Sequence, residues 1–313
     1  MTAHSTHPVA GRRPSLRVWV QAARPQSFAA TVAPVSLGLA LAWRDGRFDL
    51  PTAAVTLLAA VLLQAGANLL NDYMDHRAGA DSSASLGPSR AIQDGLLSPR
   101  QVLIGAWVCL GVGATLGVGL AWIGGWPVWA LGALGVLIAA LYTAGPAPLA
   151  YIGLGEIAVF VAMGPGMVAG AYAVQTQTVT PGVLLAAAPI GLLVAAILHA
   201  NNLRDLDSDR RAGKRTLATR LGRRGAQVEY AVLMAGAFAG VPAGIALGAL
   251  PPTALAIVAL LPAASTLVRT ASSVTDTPAL NRVLRQTAAL HLRFGLLLAA
   301  SVVAWGWLAG AAR

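Results

Sequence analysis

The chain has 313 residues, of which 56% are hydrophobic and only 11% are charged, and its formal net charge is +10. Soluble domains carry about 25% charged residues, so this composition excludes an ordinary soluble domain and is typical of an integral membrane protein. A basic excess can also indicate nucleic-acid binding, and the placement of the basic residues decides between the two.

Residues 1–24 are polar and contain several arginines, without the apolar core of a secretory signal peptide. We predict that they form a disordered cytoplasmic tail, and that residues 25–313 form a single transmembrane domain. A spanning helix needs about 20 mostly apolar residues. The predicted fold class is an all-α integral membrane bundle with nine transmembrane helices, at 26–43, 52–70, 102–122, 127–143, 156–174, 182–200, 227–248, 252–270 and 288–309.

The basic residues are distributed unevenly along this predicted topology. With the N-terminus in the cytoplasm, all but three of the 22 Lys and Arg residues lie on the cytoplasmic side, and the exceptions are Arg44, Arg47 and Arg313. This asymmetry follows the positive-inside rule. It predicts a multi-pass protein of the plasma membrane in contact with membrane lipid, and it accounts for the positive charge without any nucleic acid.

Two polar segments at the cytoplasmic ends of predicted spans repeat one pattern. The segments "ANLLNDYMDHRAG" (67–79) and "ANNLRDLDSDRRAG" (200–213) share A-N-x-L-x-D and, one inserted residue later, D-x-R-A-G. Carboxylates at membrane depth are costly, so those retained there are functional candidates. Half of the chain's 12 acidic residues lie in these segments or, for Asp81, two residues after the first: Asp72, Asp75, Asp81, Asp205, Asp207 and Asp209.

The spacing of these residues predicts two acidic helix faces. If the helix continues, Asn68, Asp72 and Asp75 lie at i, i+4 and i+7 on one face. In the second motif Asn201, Asp205 and Asp209 lie at i, i+4 and i+8, and Asn202 offers an alternative start. Because both predicted spans run from outside to inside, the two faces can share one cavity. Carboxylates that converge there repel each other unless a cation binds, and an all-oxygen site suits Mg²⁺.

Basic side chains follow each motif and suggest an anionic ligand. Arg forks match phosphate geometry and Lys acts as a point charge, so a diphosphate-bearing lipid at the membrane surface fits the combination. Juxtamembrane arginines also serve as orientation signals or headgroup contacts, and a single Asp at a helix end can be a cap. The nearby cations are Arg77, Arg90, Arg204, Arg210, Arg211, Lys214 and Arg215.

These motifs resemble those of the UbiA superfamily of membrane prenyltransferases. Further segments, "LGPSRAIQDGLLSPR", "YTAGPAPLAYIGLGE", "NNLRDLDSDRRAGKRTLATRLG" and "TAALHLRFGLL", look like the 1,4-dihydroxy-2-naphthoate polyprenyltransferase branch of this superfamily. The resemblance covers about residues 22–310. It implies a nine-helix bundle around a central cavity, Mg²⁺ as the cofactor, and polyprenyl diphosphate as the donor.

Residue by residue, the resemblance implies a site held from two sides. Asn68, Asp72 and Asp75 would bind the Mg²⁺–diphosphate from one side, with Asp81 closing the motif, and Asp205 and Asp209 from the other. The loop "YTAGPAPLAY" (142–151) lacks a lysine that family members often carry, and Lys214 or Arg90 would replace it. The expected diphosphate-binding residues are Arg24, Arg77, Arg90, Lys214 and Arg215.

Four polar residues are candidates for binding the aromatic acceptor: Asn201, Asn202, Tyr142 and Glu156. Each has an alternative role, because Asn can join helices, Tyr belongs to interfacial belts, and Glu156 can cap a helix start. For His199 and His291, packing or a helix–helix hydrogen bond is favoured over catalysis.

The predicted function is transfer of a polyprenyl group to 1,4-dihydroxy-2-naphthoate with loss of CO₂ and diphosphate, which gives demethylmenaquinol for menaquinone biosynthesis. The first alternative is a related prenyltransferase with another acceptor, such as 4-hydroxybenzoate. A cation-coupled transporter would keep its acids near the bilayer midplane rather than at span ends. A non-catalytic lipid-binding scaffold is the third alternative.

Overall fold

A computed structural model of the chain describes residues 14–77, 91–143 and 148–311. Every regular element within these ranges is helical, as the composition predicts. The α-helices are α1 (Leu16–Ala22), α2 (Ala29–Arg44), α3 (Leu50–Arg77), α4 (Pro99–Gly124), α5 (Trp126–Thr143), α6 (Gly155–Val161), α7 (Met167–Thr176), α8 (Pro181–Arg204), α9 (Leu206–Arg211), α10 (Leu217–Ala246), α11 (Leu261–Ser273) and α12 (Thr277–Ala311). Short 3₁₀ segments cover Pro25–Phe28, Leu149–Tyr151 and Pro252–Leu260, and a π-helical turn covers Ala162–Gly166.

Eight helical segments of the described chain are long and apolar enough to cross a membrane. They are Pro25–Arg44, Leu50–Arg77, Pro99–Gly124, Gly155–Thr176, Pro181–Arg204, Leu217–Ala246, Pro252–Ser273 and Thr277–Leu308. The remaining predicted span, 127–143, corresponds to a shorter apolar helix, Trp126–Tyr142. The multi-pass membrane class is therefore confirmed, with eight candidate spans.

The chain divides into two compact units. The first contains residues 1–28 and 58–115, and its described core is a small cluster in which Ala22, Leu69 and Val102 are buried. Helix α1 lies inside the segment predicted to be a disordered tail, and Trp19 packs against this cluster. The tail prediction is therefore wrong for this helix, because its apolar residues have a core to pack against. Residues 1–13 lie outside the described residues.

The second unit contains residues 29–57 and 116–313 and holds the larger core. Helix α8 packs against α10 and α12, and α12 packs against α2. Large apolar side chains from these helices, including Leu37, Ile190, Tyr230 and Phe294, are almost completely buried. The buried core of this unit positions the C-terminal end of α8, which carries several of the predicted site residues.

Two glycines let the segment α6–α7 approach α8 closely. The π-helical turn contains Gly164, and a Cβ built there would stand 2.4 Å from the Cα of Gly191 on α8. Any side chain at Gly164 would therefore collide with the α8 backbone, and a Cβ at Gly191 would stand 2.9 Å from the Phe160 ring. The contact aligns the start of α6 with the end of α8, and π-helical turns of this kind are frequent at functional sites.

Replacement of Gly164 by valine should destabilise the protein. The added side chain would collide with the α8 backbone, and overpacking of this kind costs about 1–3 kcal/mol. We expect a clear fall in the melting temperature of the purified protein in detergent. Gly170→Ala is the matched control on α7, because a Cβ at Gly170 meets nothing within 4 Å. An equal fall in both variants would contradict the close-approach explanation.

Candidate active site

The first acidic motif lies on the last turns of α3, which runs unbroken to Arg77. The predicted i, i+4, i+7 face therefore exists. Asn68 and Asp72 are buried, each with 6% exposure, whereas Asp75 is exposed. The Asn68 Nδ2 donates to the backbone carbonyl of Ala23 at 2.8 Å and to the Ser27 Oγ at 2.6 Å. These bonds fix the carboxamide on the segment that follows α1.

Arg24, predicted to lie near the site, is paired with Asp72. Its guanidinium donates to the Asp72 carboxylate, and both side chains are largely buried. Arg24 has a φ of +57°, a left-handed conformation that is uncommon outside glycine and that occurs at functional sites. The pair supplies the positive charge that a buried carboxylate requires.

The second motif does not continue α8 as one helix. Helix α8 ends at Arg204, Asp205 is its C-cap residue, and α9 begins at Leu206. The expectation of an uninterrupted i, i+4, i+8 face is therefore wrong at Asp205. The backbone of Asp205 has φ −93° and ψ 6°, which turns the chain between the two helices.

A hydrogen-bonded group surrounds Asp205. Arg204 binds its carboxylate with two contacts, from Nε at 2.7 Å and from Nη2 at 2.6 Å. Arg204 also donates to the Asn201 Oδ1 at 2.9 Å and to the Asn281 Oδ1 at 3.1 Å. Asn201, a predicted acceptor-binding residue, thus belongs to the acidic motif, and α12 contributes Asn281.

Asp209 on α9 pairs with Lys214, the chain's single lysine. The Lys214 Nζ lies 3.0 Å from the Asp209 Oδ1 and 5.3 Å from the centre of the Tyr151 ring. Partial burial lowers the pKa of the Lys214 ammonium, but the hydrogen bond to Asp209 and its negative charge outweigh burial and raise the pKa above its usual value. Lys214 therefore stays charged beside the end of the loop in which the sequence lacks a lysine.

A second polar group lies where α6, α8 and α10 meet. The Glu156 Oε1 lies 3.1 Å from the His199 Nδ1 and accepts from the Asn202 Nδ2 at 2.9 Å. The Glu229 Oε2 lies 3.5 Å from the same His199 Nδ1, and the His199 Nε2 lies 2.8 Å from the Ala226 carbonyl oxygen. The predicted helix–helix hydrogen bond of His199 is confirmed. Possible ligand atoms of Glu156, His199 and Glu229 lie within 4.8 Å of one another.

The structure places the other predicted site residues as follows. Arg77 ends α3 and is exposed, and Arg215 is exposed after α9. Tyr142 is half-buried near the end of α5. The Tyr142 hydroxyl lies near Gly155, the neighbour of Glu156, because a Cβ built on Gly155 would stand 3.7 Å from it. His291 is fully buried in α12. Asp81 and Arg90 lie outside the described residues.

Sequence reasoning missed Glu229 and Asn281. Glu229 carried a usable signal, because an ionisable residue inside a predicted span is a functional candidate. Asn281 carried none, since it belongs to no motif and meets Arg204 only through the packing of α12 near α8. Ser27, which bonds Asn68, gave no signal for the same reason.

The helical membrane fold and these acidic groups belong to a known class of membrane transferase. The UbiA prenyltransferase family model matches residues 31–291, so the chain belongs to this family. A 1,4-dihydroxy-2-naphthoate octaprenyltransferase of Escherichia coli is 38% identical over 228 residues, which cover 70% of this chain and 73% of the relative. A protein of the same name from Mycobacterium tuberculosis is 40% identical over 222 residues, which cover 71% and 75%. The predicted family is therefore confirmed.

Solved structures show the same fold. A UbiA homologue from Aeropyrum pernix superposes with a TM-score of 0.64 at 20% identity, covering 90% of this chain and 97% of the other. A UbiA homologue from Archaeoglobus fulgidus bound to GPP and Mg²⁺ gives 0.59 at 15% identity, covering 92% and 99%. At these identities the comparison supports the helical architecture alone.

Proposed function

We propose that this chain transfers a polyprenyl group from polyprenyl diphosphate to 1,4-dihydroxy-2-naphthoate, with release of diphosphate and CO₂, and thereby forms demethylmenaquinol for menaquinone biosynthesis. The observation that carries the proposal is the sequence identity of 33–40% to four relatives named 1,4-dihydroxy-2-naphthoate octaprenyltransferase, in alignments that each cover 70% or more of this chain. The two acidic motifs and the polar group at α6, α8 and α10 supply the chemistry that this reaction needs.

We propose that residues of both acidic motifs bind the diphosphate through Mg²⁺. The donor set fits this ion, because carboxylate and carboxamide oxygens are the ligands that Mg²⁺ prefers. The proposed ligands are Asn68, Asp72, Asp75, Asp81, Asp205 and Asp209. Arg24, Arg204 and Lys214 each pair with one of these carboxylates. When a metal ion binds the carboxylate instead, the released cation can move a short distance to a phosphate oxygen. Arg77, Arg90 and Arg215 complete the basic surroundings.

The reaction begins with loss of the diphosphate. When bound, Mg²⁺ supplies neutralisation of the charge on the leaving group. Arg24 and Lys214 hold the departing oxygens, and the allylic C–O bond breaks with its electron pair on the diphosphate. The apolar bundle keeps water from the allylic carbocation. The aromatic ring forms the new C–C bond at the carbon that bears the carboxylate, CO₂ leaves, and the electron pair of the broken bond restores the aromatic ring.

The acceptor lies beside the last turn of α8. Asn202 is bound to Glu156 and is nearly buried, and Tyr142 lies close to the same turn of α6. These three side chains offer polar contacts to the ring hydroxyls and border the second acidic motif. We assign Asn201 to the second acidic motif and not to acceptor binding, because the two ends of its carboxamide bond to Asp205 and Arg204.

We further propose nine transmembrane helices, with the short helix Trp126–Tyr142 as the ninth, around a central cavity. Both acidic motifs then lie on the cytoplasmic side of the plasma membrane, as the distribution of Lys and Arg predicts. Attachment of a membrane-impermeant thiol reagent to single cysteines introduced at Asp207 and Asp45, after Cys109→Ala, tests this sidedness.

The reaction is tested by prenyl transfer in detergent with farnesyl or geranylgeranyl diphosphate. The naphthoate acceptor and 4-hydroxybenzoate are offered in parallel, each with Mg²⁺ and with EDTA. We expect a lipophilic naphthoquinol, recovered as its quinone after oxidation by air, and CO₂ with the first acceptor and Mg²⁺ only, and at least a hundredfold loss with EDTA. Product from 4-hydroxybenzoate alone would overturn the acceptor, and product in EDTA would overturn the metal.

A further inference from the structure

We infer that His199 and Glu229 form a positioning device that turns the Asn202 carboxamide oxygen toward a ring hydroxyl of the acceptor. The inference rests on the proposed placement of the acceptor at Asn202 and goes beyond it. It assigns a role to two groups, the buried His199 on α8 and the partly buried Glu229 on α10, that the prenyl-transfer chemistry leaves unused.

The position of one proton follows from the contacts of His199. Its Nε2 lies 2.8 Å from the Ala226 carbonyl oxygen, and a carbonyl only accepts, so Nε2 carries a hydrogen. Its Nδ1 then faces the Glu156 Oε1 at 3.1 Å and the Glu229 Oε2 at 3.5 Å. A lone pair in that place would repel two carboxylate oxygens. A proton must therefore lie between His199 Nδ1 and the two acids, and it holds Glu156 in place.

The fixed Glu156 carboxylate in turn sets the orientation of Asn202. The Glu156 Oε1 accepts from the Asn202 Nδ2 at 2.9 Å. The reversed carboxamide would place oxygen against oxygen, so the NH₂ end must face Glu156. The Oδ1 end faces away, and no described residue donates a hydrogen bond to it. Three helices thus combine to present one hydrogen-bond acceptor on the last turn of α8.

The Asn202 Oδ1, as a hydrogen-bond acceptor, binds a hydroxyl group of the substrate in preference to a carboxylate. An amide oxygen accepts from a phenolic O–H but has no proton to offer to a carboxylate. 1,4-Dihydroxy-2-naphthoate carries both groups, and the orientation of Asn202 favours binding through a ring hydroxyl. Asn202 lies one helical turn before Asp205. The bound hydroxyl therefore lies next to the motif that is proposed to hold the diphosphate. His199 touches no substrate and acts through Glu156.

The test compares His199→Leu, His199→Gln and Glu229→Gln with the parent, each alone and with Asn202→Ala. We expect acceptor KM to rise about tenfold in His199→Leu and about threefold in the two Gln variants, since one buried hydrogen bond is weakened or lost. The donor KM should stay within twofold. In the Asn202→Ala background the same changes should raise acceptor KM less than twofold further, because the group they orient is gone.

Each other outcome has a definite meaning. Acceptor KM within twofold of the parent in folded His199→Gln and Glu229→Gln overturns the inference, even if His199→Leu does not fold. Fully additive effects with Asn202→Ala overturn it as well. If elemental analysis finds a stoichiometric transition metal in the parent and none in His199→Gln, these residues bind a metal instead of sharing a proton. That result would also overturn the inference. If Asn202→Ala leaves acceptor KM unchanged, the proposed acceptor placement itself fails.

Discussion

Replacement of Asp72 or Asp205 by asparagine should lower kcat/KM for prenyl transfer by about 10²- to 10³-fold. Each change removes one negative charge and leaves the side chain nearly the same size. It also removes the ion pair of Arg24 with Asp72 or that of Arg204 with Asp205. Steady-state kinetics at several Mg²⁺ concentrations should show a raised Mg²⁺ requirement, and this readout separates a ligand from a residue that only supports the fold.

Asp207→Asn is the matched control for Asp205→Asn. Asp207 lies two residues away on α9, its side chain is 61% exposed, and its partner is Arg223 at 2.7 Å. An exposed ion pair contributes little, so activity should stay within twofold of the parent. A comparable loss in Asp207→Asn, or full activity in Asp205→Asn, would sink the assignment of the second motif.

The double variant Asp72→Asn with Asp205→Asn tests whether the two motifs act on one diphosphate. If both hold the same metal–diphosphate, the second substitution should cost much less than it does alone, because groups that act as a unit are not additive. Losses that multiply would indicate that the motifs act independently. The repeated sequence predicts the first result, since the repeat places equivalent residues at the same end of two spans.

The helical class and the span positions could be predicted because each depends on local composition. Each of the nine apolar stretches falls on a helix, and the ends of most agree within a few residues. The first acidic face could be predicted for the same reason, since α3 is regular through Asp75. The second acidic face could not be predicted, because the chain turns at Asp205. There Arg204 donates a hydrogen bond to Asn281, which lies on a helix far away in the sequence.

The polar group at Glu156 shows the limit of motif reasoning more clearly. Glu156, His199 and Glu229 lie on three helices and share no spacing that a sequence pattern could detect. Glu156 and His199 each had a satisfactory local explanation, a helix cap and a packing contact, and Glu229 belonged to no motif. Only the close approach of α6 to α8, which Gly164 and Gly191 permit, brings the first two within hydrogen-bond distance. The packing of α10 then adds Glu229.

Replacement of Lys214 by glutamine should raise the KM for polyprenyl diphosphate by about 10- to 100-fold, because a charged contact to phosphate is lost. Acceptor KM should stay within twofold. Lys214→Arg keeps the charge and should retain most of the affinity. Arg211→Gln is the control, since Arg211 is an exposed cation on the neighbouring helix α9. Equal effects of Lys214→Gln and Arg211→Gln on donor KM would indicate general electrostatic attraction instead of a specific contact.

The pH dependence gives an independent check on Lys214. Its pKa is raised above the ordinary value of 10.5 by Asp209, against the lowering effect of burial. A raised folded-state pKa means that the ion pair contributes its full stability below the unfolded pKa and loses it as the pH rises through the folded value. Donor KM should therefore be independent of Lys214 titration from about pH 6 to 9. A rise in donor KM within that window that disappears in Lys214→Arg would show that Lys214 loses its proton earlier than the Asp209 pair allows.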